Sequence, residues 1–393
     1  MGDEHGREIP APCETCEEPS DVVKRVAFGR EREMLESQPP DVGSTRSFSW
    51  ERLKQPEADM DHCGIDLAME SSSVCVTDRR GKVLLERVVA TEEASLREVF
   101  AACRPMRCLL EASPLAEWAA DLLEEWGHRA TVIDTRKAKG VIRTKKKTDK
   151  LDARNLARMS RTGWYTAVHR KSREARAMRT YLQARQGLLQ TALAQGSRIR
   201  GLLRAHGIKL GQLPDSAYAG RVKRLAMEKA PELWPMLEPL VELRRQAIRS
   251  AAEMKKHLAR QISQDPVGQR LMSAPGVGPL TAVAYKATID RPERFTSSDQ
   301  VGAYVGLVPS VAQSGEQDFH GRITREGDGL LRSYLFEAAH VLLTRKYGTC
   351  RLKKWGLKLA NKKGYGKARV AVARKLAVLL HHLWISGQNY QSA

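Results

Sequence analysis

The chain has 393 residues, 42% of them hydrophobic, which is enough for two or three domains with buried cores. Its 66 Lys and Arg residues exceed its 46 Asp and Glu residues, giving a formal net charge of +20. This composition excludes a wholly disordered chain, a collagen-like fibre and a small disulfide-stapled domain. No uncharged apolar run is long enough to span a bilayer, and the N-terminal segment is acidic and polar. We therefore expect a cytoplasmic protein with no membrane partner.

The first 60 residues differ from the rest of the chain. They contain 14 acidic and 8 basic side chains, are rich in Pro, Ser and Glu, and have little apolar periodicity, which predicts a disordered extension. Cys13 and Cys16 form a single CxxC pair without a second pair, a weak signal for zinc. The cysteines at 63, 75, 103 and 108 lie in apolar stretches and are predicted to be small core residues.

Positive charge is concentrated in two segments. Residues 136–185 contain 17 Lys and Arg residues and three acidic residues, and a second basic block runs from Lys346 to Lys375. Such density indicates binding to a polyphosphate, driven by counterion release. A membrane surface is the rival partner, but no basic helix with a strong apolar face and aromatic anchors is evident. Nucleic acid is the better prediction, and the run Lys145, Lys146 and Lys147 is a candidate contact.

From residue 61 the apolar pattern predicts short strands and helices. Three strands, over residues 63–69, 73–78 and 83–89, are followed by a helix over 92–103, a strand over 107–111, a helix over 115–126, a strand over 130–134 and a helix from 149 to about 160. The order β-β-β-α-β-α-β-α predicts a mixed sheet with helices packed on it. It resembles the RNase H/RuvC-like nuclease fold.

Four carboxylates fall on these elements: Asp66, Glu111, Asp149 and Asp152. Asp66 lies in an otherwise apolar strand, where a carboxylate is costly unless it is paired or binds a metal. Asp149 and Asp152 are three residues apart on one helix and so share a face. Oxygen ligands of this kind suit one or two Mg²⁺ ions that could cleave a phosphodiester. Surface ion pairs with neighbouring lysines, or a simple turn cap at Glu111, are the alternative explanations.

The second half is predicted to be mainly helical. Two long helices between residues 171 and 262 carry apolar residues at seven-residue spacing and are separated by prolines at 214, 231, 235 and 239. They predict an antiparallel pair or coiled coil, with a plain helical bundle as the alternative. Further on, Pro275-Gly276-Val277-Gly278-Pro279 resembles a helix-hairpin-helix turn, in which glycines let backbone N–H groups approach a phosphate, although an ordinary tight turn has the same pattern.

Several motifs together resemble the DEDD transposases of the insertion sequence 110 family. They are GIDLA at 64–68, LLEAS at 109–113, KTDKLDARNLA at 147–157, APGVGPLTA at 274–282, VGAYVGLVPSVAQSG at 301–315 and GRITREGDGLLRSYLFEAA at 321–339. The resemblance covers roughly residues 61–345. It departs from the family pattern after Asp66, where a common lysine is missing, and in the N-terminal extension.

Composition, periodicity and the resemblance together predict five segments. These are the extension at 1–60, an RNase H/RuvC-like DEDD domain at 61–168, a helical or coiled-coil domain at 169–265, a transposase domain with a catalytic serine at 266–345 and a basic helical segment at 346–393. The resemblance implies a recombinase whose Asp66, Glu111, Asp149 and Asp152 bind Mg²⁺. The implied partners are donor DNA, target DNA and a noncoding bridge RNA that supplies sequence specificity, in a bacterial cell at the nucleoid.

The implied nucleophile is a serine that forms a transient phosphoserine link to DNA. Ser314 is assigned on the resemblance, in what the sequence predicts to be a polar loop, and Ser310 is the alternative. His320 could remove the serine proton, or a metal ion from the other domain could do so. Arg322 and Arg325 are candidates to steady the charged phosphorus centre.

Two other functions remain possible from the sequence. One is a RuvC-like, structure-specific endonuclease that cuts by water attack; the other is a non-catalytic nucleic-acid scaffold, which Asp66 disfavours. Because strand exchange between four DNA strands needs several active sites, we expect a homodimer or homotetramer.

Overall fold

The computed structural model describes residues 60–134, 149–314, 317–345, 348 and 350–391. The side chains of Asp149 and of residues 311–320 lie outside this description. The chain divides into two compact units between Arg170 and Lys171. The predicted N-terminal extension, including Cys13 and Cys16, and the lysines at 145–147 lie outside the described residues.

The first unit is built on a five-stranded mixed sheet. Its elements are β1 (Asp61–Leu67), β2 (Ser71–Thr77), β3 (Val83–Ala90), α1 (Glu93–Phe100), β4 (Met106–Glu111), α2 (Ala116–Glu125), β5 (Arg129–Ile133) and α3 (Asp149–Thr162). The strand order is β3-β2-β1-β4-β5. Strands β1, β2 and β3 are antiparallel neighbours, whereas β1, β4 and β5 run parallel. The predicted element order and the RNase H/RuvC-like fold are confirmed.

The two faces of the sheet bury different residues. One face packs Cys63, Ile65, Cys108 and Leu110 against apolar residues of α1 and α2. The other face is covered by α3, whose Leu156 and Met159 pack with Leu109 and Ile133, and whose Ala153 and Ala157 pack with Cys75. Cys63, Cys75 and Cys108 are buried as free thiols, as predicted, and Cys103 is half-buried.

The end of the first unit is fastened to α2 by Arg170. Its guanidinium forms ion pairs with Glu117, Asp121 and Glu124, which lie on one side of the helix at spacings of four and three residues. Just before it, the N–H of Val168 donates to the carbonyl of Val132 at 2.8 Å. The segment after α3 is therefore part of the first unit.

The second unit begins with two long helices and a shorter one between them. These are α4 (Arg173–Ala205), α5 (Asp215–Lys229) and α6 (Trp234–Gln264), with a 3₁₀ turn at Pro231–Leu233. Leu182 packs with Leu258 near one end of the pair, and Leu203 packs with Leu237 near the other, so α4 and α6 are antiparallel. The predicted antiparallel pair is therefore present.

The proline prediction was wrong in part. Pro235 and Pro239 do not separate the helices but lie in α6, Pro235 in its first turn and Pro239 in its interior. A proline near a helix start is tolerated because the first N–H groups have no partner within the helix. Only Pro214, which precedes α5, and Pro231, which starts the 3₁₀ turn, lie between helices.

The rest of the second unit is mainly helical, as predicted, with one hairpin. Its elements are α7 (Pro266–Ser273), α8 (Pro279–Ile289), α9 (Asp299–Tyr304), β6 (Pro309–Ser314), β7 (Gln317–Ile323), α10 (Gly329–Thr344), α11 (Arg351–Lys363) and α12 (Tyr365–Ser386). Helix α8 is buried almost all round, and its Tyr285 donates to the carbonyl of Ala377 in α12 at 2.7 Å. Among the described helices, none combines the length and the apolar character that a bilayer crossing demands.

Candidate active site

The two strand carboxylates lie beside each other at one end of the sheet. The parallel register pairs Ile65 of β1 with Leu110 of β4, so the next residues along the two strands are Asp66 and Glu111. Neighbouring strands are about 5 Å apart, and residues at matching positions of parallel strands project to the same face. Asp66 is half-buried and Glu111 is exposed, so both carboxylates are accessible from solvent.

The face that carries both carboxylates is the one that α3 covers. Side chains alternate along a strand, so Asp66 shares a face with Gly64, and Glu111 shares one with Leu109. Leu109 packs against Leu156 of α3. A Cβ added to Gly64 would overlap the carbonyl oxygen of Ala153 and the nitrogen of Ala157, so the helix backbone touches β1 at this point.

Helix α3 runs antiparallel to β1, which brings its first turn toward the carboxylates. Near the start of β1, His62 Nδ1 is 3.0 Å from the hydroxyl of Ser160, close to the end of α3. Gly64 then meets residues in the middle of the helix. The end of β1, where Asp66 lies, consequently points toward the beginning of α3, where Asp149 is the first residue and Asp152 is half-buried.

Among the described residues, no ion pair accounts for Asp152. Lys150 and Arg154 are each two residues from Asp152 along the helix, and Arg154 forms a bidentate pair with Glu86 of β3 at 2.6 and 2.7 Å. Within the part of the chain that the structure describes, no side chain forms an ion pair with Asp152. The alternative explanation of this residue as a surface ion pair is therefore not supported by the described contacts.

The carboxylates offer oxygen ligands only, which suits a hard divalent cation such as Mg²⁺. Asp66 and Glu111 share one face and one end of the sheet. Together with Asp152 they supply the kind of ligand atom that such a cation binds. Among the described side chains, however, no three His, Cys, Asp or Glu residues are grouped closely enough to hold an ion. For Asp149, only the position of the backbone is described. The assignment of these four residues as metal ligands remains a prediction.

The predicted helix-hairpin-helix turn connects α7 and α8. Gly276 has a φ of 83°, and a Cβ on it would overlap the carbonyl oxygen of Ala338 in α10. The glycine is thus required by packing inside the protein, whatever its role toward a phosphate. Gly278 directly precedes α8, and nothing lies within 4 Å of where its Cβ would be, so its backbone is approachable from outside.

The serine region is a β-hairpin, not the predicted polar loop. Gln313 and Ser314 are the last residues of β6, and the backbone register pairs Ser314 with Gln317 of β7. Because both strands carry many polar residues, they lack the alternation of apolar and polar residues from which a strand is predicted. The register shifts between Pro309 and Val311, so Ser310 lies at a bulge. Its exposed hydroxyl occupies the space left by the missing side chain of Gly321.

The base of the hairpin is held by close backbone contacts. A Cβ on Gly306 would overlap the backbone of Glu326, and one on Gly327 would overlap the carbonyl of Tyr304. Next to them, the exposed Arg325 has a φ of 57°, a backbone conformation that residues other than glycine seldom adopt. Its backbone N–H donates to the carbonyl of Gly306 at 3.2 Å. Arg322 is also exposed, one residue before the end of β7.

Arg332 is a residue that the sequence reading missed. Its guanidinium donates to the carbonyl of Val305 at 2.9 Å and to that of Glu326 at 3.0 Å, joining the two sides of the hairpin base. Burial and, second to it, the charge of Arg325 lower its pKa from the usual value of an arginine. The only available sequence signal is the pair of glycines at 306 and 327, which mark a close approach of backbones.

Comparison with known proteins gives two family matches. Residues 63–208 match a transposase domain of the DEDD type from the IS110 group, and residues 268–353 match the transposase IS116/IS110/IS902 family. The first match contains β4, α3 and most of β1, including Asp66, and the second contains the β6–β7 hairpin. The two halves of the resemblance are therefore found independently.

Relatives resemble the chain over most of its length. It is 27% identical over 350 residues to the transposase for insertion sequence element IS1111A of Coxiella burnetii, covering 87% of this chain and 94% of that protein. It is 24% identical over 320 residues to the transposase for insertion sequence element IS1328 of Yersinia enterocolitica, covering 80% of this chain and 93% of that protein. The chain thus belongs to the IS110/IS116 family of insertion-sequence transposases, enzymes that break and rejoin DNA.

Proposed function

We propose that this transposase is a Mg²⁺-dependent, site-specific recombinase that cuts and rejoins DNA through a phosphoserine intermediate, guided by a bridge RNA. The observation that carries the nuclease part is the position of Asp66 and Glu111 at the ends of adjacent parallel strands, on the face that α3 covers. A RuvC-like sheet with carboxylates at this edge suits phosphodiester chemistry.

In this proposal Asp66, Glu111, Asp149 and Asp152 hold Mg²⁺. When bound, the ion would supply positive charge beside the phosphate being transferred. The support from the described residues is that all four lie on β1, β4 and α3, that Asp66 and Glu111 end adjacent strands on the face that α3 covers, and that Asp66 and Asp152 are only half-buried.

Ser314 is the proposed nucleophile. Its Oγ forms a bond to the DNA phosphorus while the bond from phosphorus to a deoxyribose oxygen breaks, and that oxygen leaves as a hydroxyl after taking a proton. Attack by a hydroxyl of another DNA strand reverses the step and frees the serine. Because one phosphate ester replaces another, rejoining needs no external energy source. His320, in the strand that pairs with β6, is a candidate to accept the serine proton.

Charged and backbone groups around the hairpin are proposed to contact the DNA. Arg322 and Arg325 are exposed and could steady negative charge at the phosphorus. Gly278 offers an approachable backbone at the start of α8, and Lys145, Lys146 and Lys147 are proposed as further contacts. For Gly276 we propose only that its backbone contacts the DNA, because packing against Ala338 already explains why this residue is a glycine.

Substitution of the two candidate serines tests this chemistry. The transposase would be produced with its native flanking DNA and Mg²⁺, and strand cleavage and joining would be measured on gels. We expect Ser314→Ala to abolish both while DNA and RNA binding stay close to the unsubstituted level. Ser310→Ala is the matched control and should keep activity. Loss of activity in the Ser310 variant alone would move the nucleophile to that residue.

The carboxylate arrangement also supports a second candidate, a RuvC-like endonuclease that cuts by water attack. In that case Ser314→Ala would still cleave DNA, and no protein would remain attached to the product. Joining of strands would be absent in every variant. The same gels therefore separate the two functions.

Bridge RNA and self-association complete the proposal, for a protein acting at the nucleoid in the cytoplasm. The net charge of +20 supports a large polyanionic partner. We expect RNA from the element's own flanking region to copurify with the protein, and its removal by ribonuclease to stop sequence-directed recombination but not general DNA binding. Sedimentation should detect a homodimer or homotetramer on the nucleic acid; a monomer both free and bound would contradict this part.

A further inference from the structure

The C-terminal part of the chain contains no acidic residue. Glu337 is the last one, and residues 338–393 contain 12 Lys and Arg residues and no Asp or Glu. Most of this segment forms α11 and α12. The match to the transposase family ends at residue 353, so most of both helices lies beyond it.

Helix α11 carries its positive charges in one line. Four exposed cations, Arg351, Lys354, Lys358 and Lys362, lie at spacings of three, four and four residues. At 3.6 residues per turn they fall within an arc of about 80° and extend over about 16 Å of helix. These four residues are called the α11 basic stripe.

The stripe is presented on a firmly packed helix. On the opposite side, a Cβ added to Gly356 would overlap side-chain atoms of Leu343 in α10 and Val372 in α12. Lys353 turns inward, is buried, and donates to the carbonyl of Arg345 at 2.6 Å, so it is excluded from the stripe. The rotation of α11 about its axis is therefore fixed by its neighbours, and the four cations keep a common direction.

Among the described residues, no carboxylate neutralises the charges of the stripe. Cations elsewhere in the same unit have carboxylate partners: Lys286 pairs with Glu174 and Asp265, and Arg179 pairs with Asp328. For the four stripe residues, the described part of the chain provides no ion-pair partner. A line of unpaired cations of this length is suited to a regular array of negative charges.

We propose that the α11 basic stripe binds the sugar–phosphate backbone of duplex DNA. The inference rests on the proposed function, to which it adds a DNA contact separate from the carboxylates and the hairpin. Lysine is a point charge that contacts phosphate without reading bases, and three of the four cations are lysines. The aromatic residue nearest the stripe, Trp355, is half-buried against the core of the second unit, and Lys375 lies over its ring, so it offers no free stacking surface for single-stranded nucleic acid.

The test is the salt dependence of DNA binding by the full-length protein. The triple variant Lys354→Gln, Lys358→Gln, Lys362→Gln would be compared with the unsubstituted protein on a mixed-sequence DNA duplex. Each lost phosphate contact lowers the slope of log affinity against log salt by about 0.9, so we expect a decrease of up to about 2.7. The matched control is Lys209→Gln, Lys229→Gln, Lys255→Gln, which removes the same charge from exposed positions on or near α4, α5 and α6.

The outcomes are separable. An equal decrease in both triple variants would overturn the proposal, because general charge would then explain it, and so would an unchanged slope in the α11 variant. A loss of affinity for a matched RNA duplex with DNA binding intact would also overturn it. Circular dichroism would check that the exposed substitutions leave the fold unchanged. If the α11 variant binds normally while Ser314 still becomes linked to DNA, this inference fails and the proposed function stands.

Discussion

The two units position their candidate catalytic residues in different ways. In the first unit, Asp66 and Glu111 lie at the ends of central strands, and their relation follows from parallel register and from a helix packed directly on Gly64. In the second, Ser314 lies at the tip of a two-stranded hairpin whose base is held by Gly306, Gly327 and Arg332. The two sheet carboxylates are thus positioned by central strands of the core, whereas the serine depends on a peripheral element and on the contacts at its base.

The largest expected effect is loss of catalysis on changing a sheet carboxylate. We expect Asp66→Asn to lower strand cleavage by about 10²–10³-fold or more, because a ligand charge beside the reacting phosphate is lost. Cleavage assays on the element's DNA would measure it. Asp61→Asn, at the opposite end of the same strand, is the control and should cleave normally. Full activity in the Asp66 variant would refute the metal-ligand assignment.

The next effect is loss of stability where a glycine touches a helix. Gly64→Ala in the first unit and Gly276→Ala in the second should each lower the free energy of unfolding by about 1–3 kcal/mol, because the new Cβ overlaps helix backbone. Gly276 adds strain from its positive φ. Denaturant unfolding of the full chain measures both. Gly278→Ala, whose Cβ would meet nothing, is the control; a loss as large as that at Gly276 would contradict the packing argument.

A smaller effect is a loss of stability in mild acid in both units. Burial, as the largest cause, lowers the pKa of His62 and of His381 from the ordinary value of 6.5. The folded protein therefore binds the proton less well than the unfolded chain, so these histidines stabilise the fold above pH 6.5 and lose that contribution as the pH falls below it. Unfolding measured across this range should show the decline, and it should be weaker in the variants His62→Gln and His381→Gln. An unchanged pH dependence in both variants would show that other groups cause the decline.

The smallest expected effect is a gain in stability. Gly187 lies exposed in α4, with nothing within 4 Å of a Cβ placed on it. Gly187→Ala should raise the free energy of unfolding by up to about 1 kcal/mol, because alanine restricts the unfolded chain and favours helix. Thermal unfolding measures the change. A decrease would mean that α4 has a contact at this position that the single chain lacks, as expected for an oligomer interface.

The sequence predicts the first unit better than the second for a physical reason. Strands such as CGIDLAM and RCLLE are apolar runs buried on both faces, so a carboxylate within them is conspicuous, and the pattern alone marks Asp66 as a candidate site residue. The strands PSVAQS and QDFHGRI are polar, and residues of this kind predict a loop. The prediction of Ser314 therefore rests on family resemblance, and the predicted loop is a strand end in the structure. Arg332 contacts the backbone carbonyls of Val305 and Glu326, and a contact with the backbone cannot be predicted from the side chains of those residues.

Helix boundaries show the same contrast. The antiparallel α4 and α6 follow from heptad spacing, but Pro235 and Pro239 were assigned to the connection because proline usually breaks a helix. In the structure the helix begins at Trp234, so one proline falls in its first turn and the other is tolerated inside. Which residue begins a helix depends on tertiary packing, here the apolar cluster around Leu233 and Leu237, and not on local propensity alone.

The central claim is that a serine of the hairpin joins covalently to DNA, and mapping the linked residue tests it most directly. The protein would be denatured during reaction with its flanking DNA and Mg²⁺, digested with protease and nuclease, and the nucleotide-bearing peptide sequenced by mass spectrometry. We predict a phosphonucleotide on Ser314. A link on Ser310 would keep the mechanism and change the residue, whereas cleaved DNA without any attached peptide would contradict the phosphoserine account.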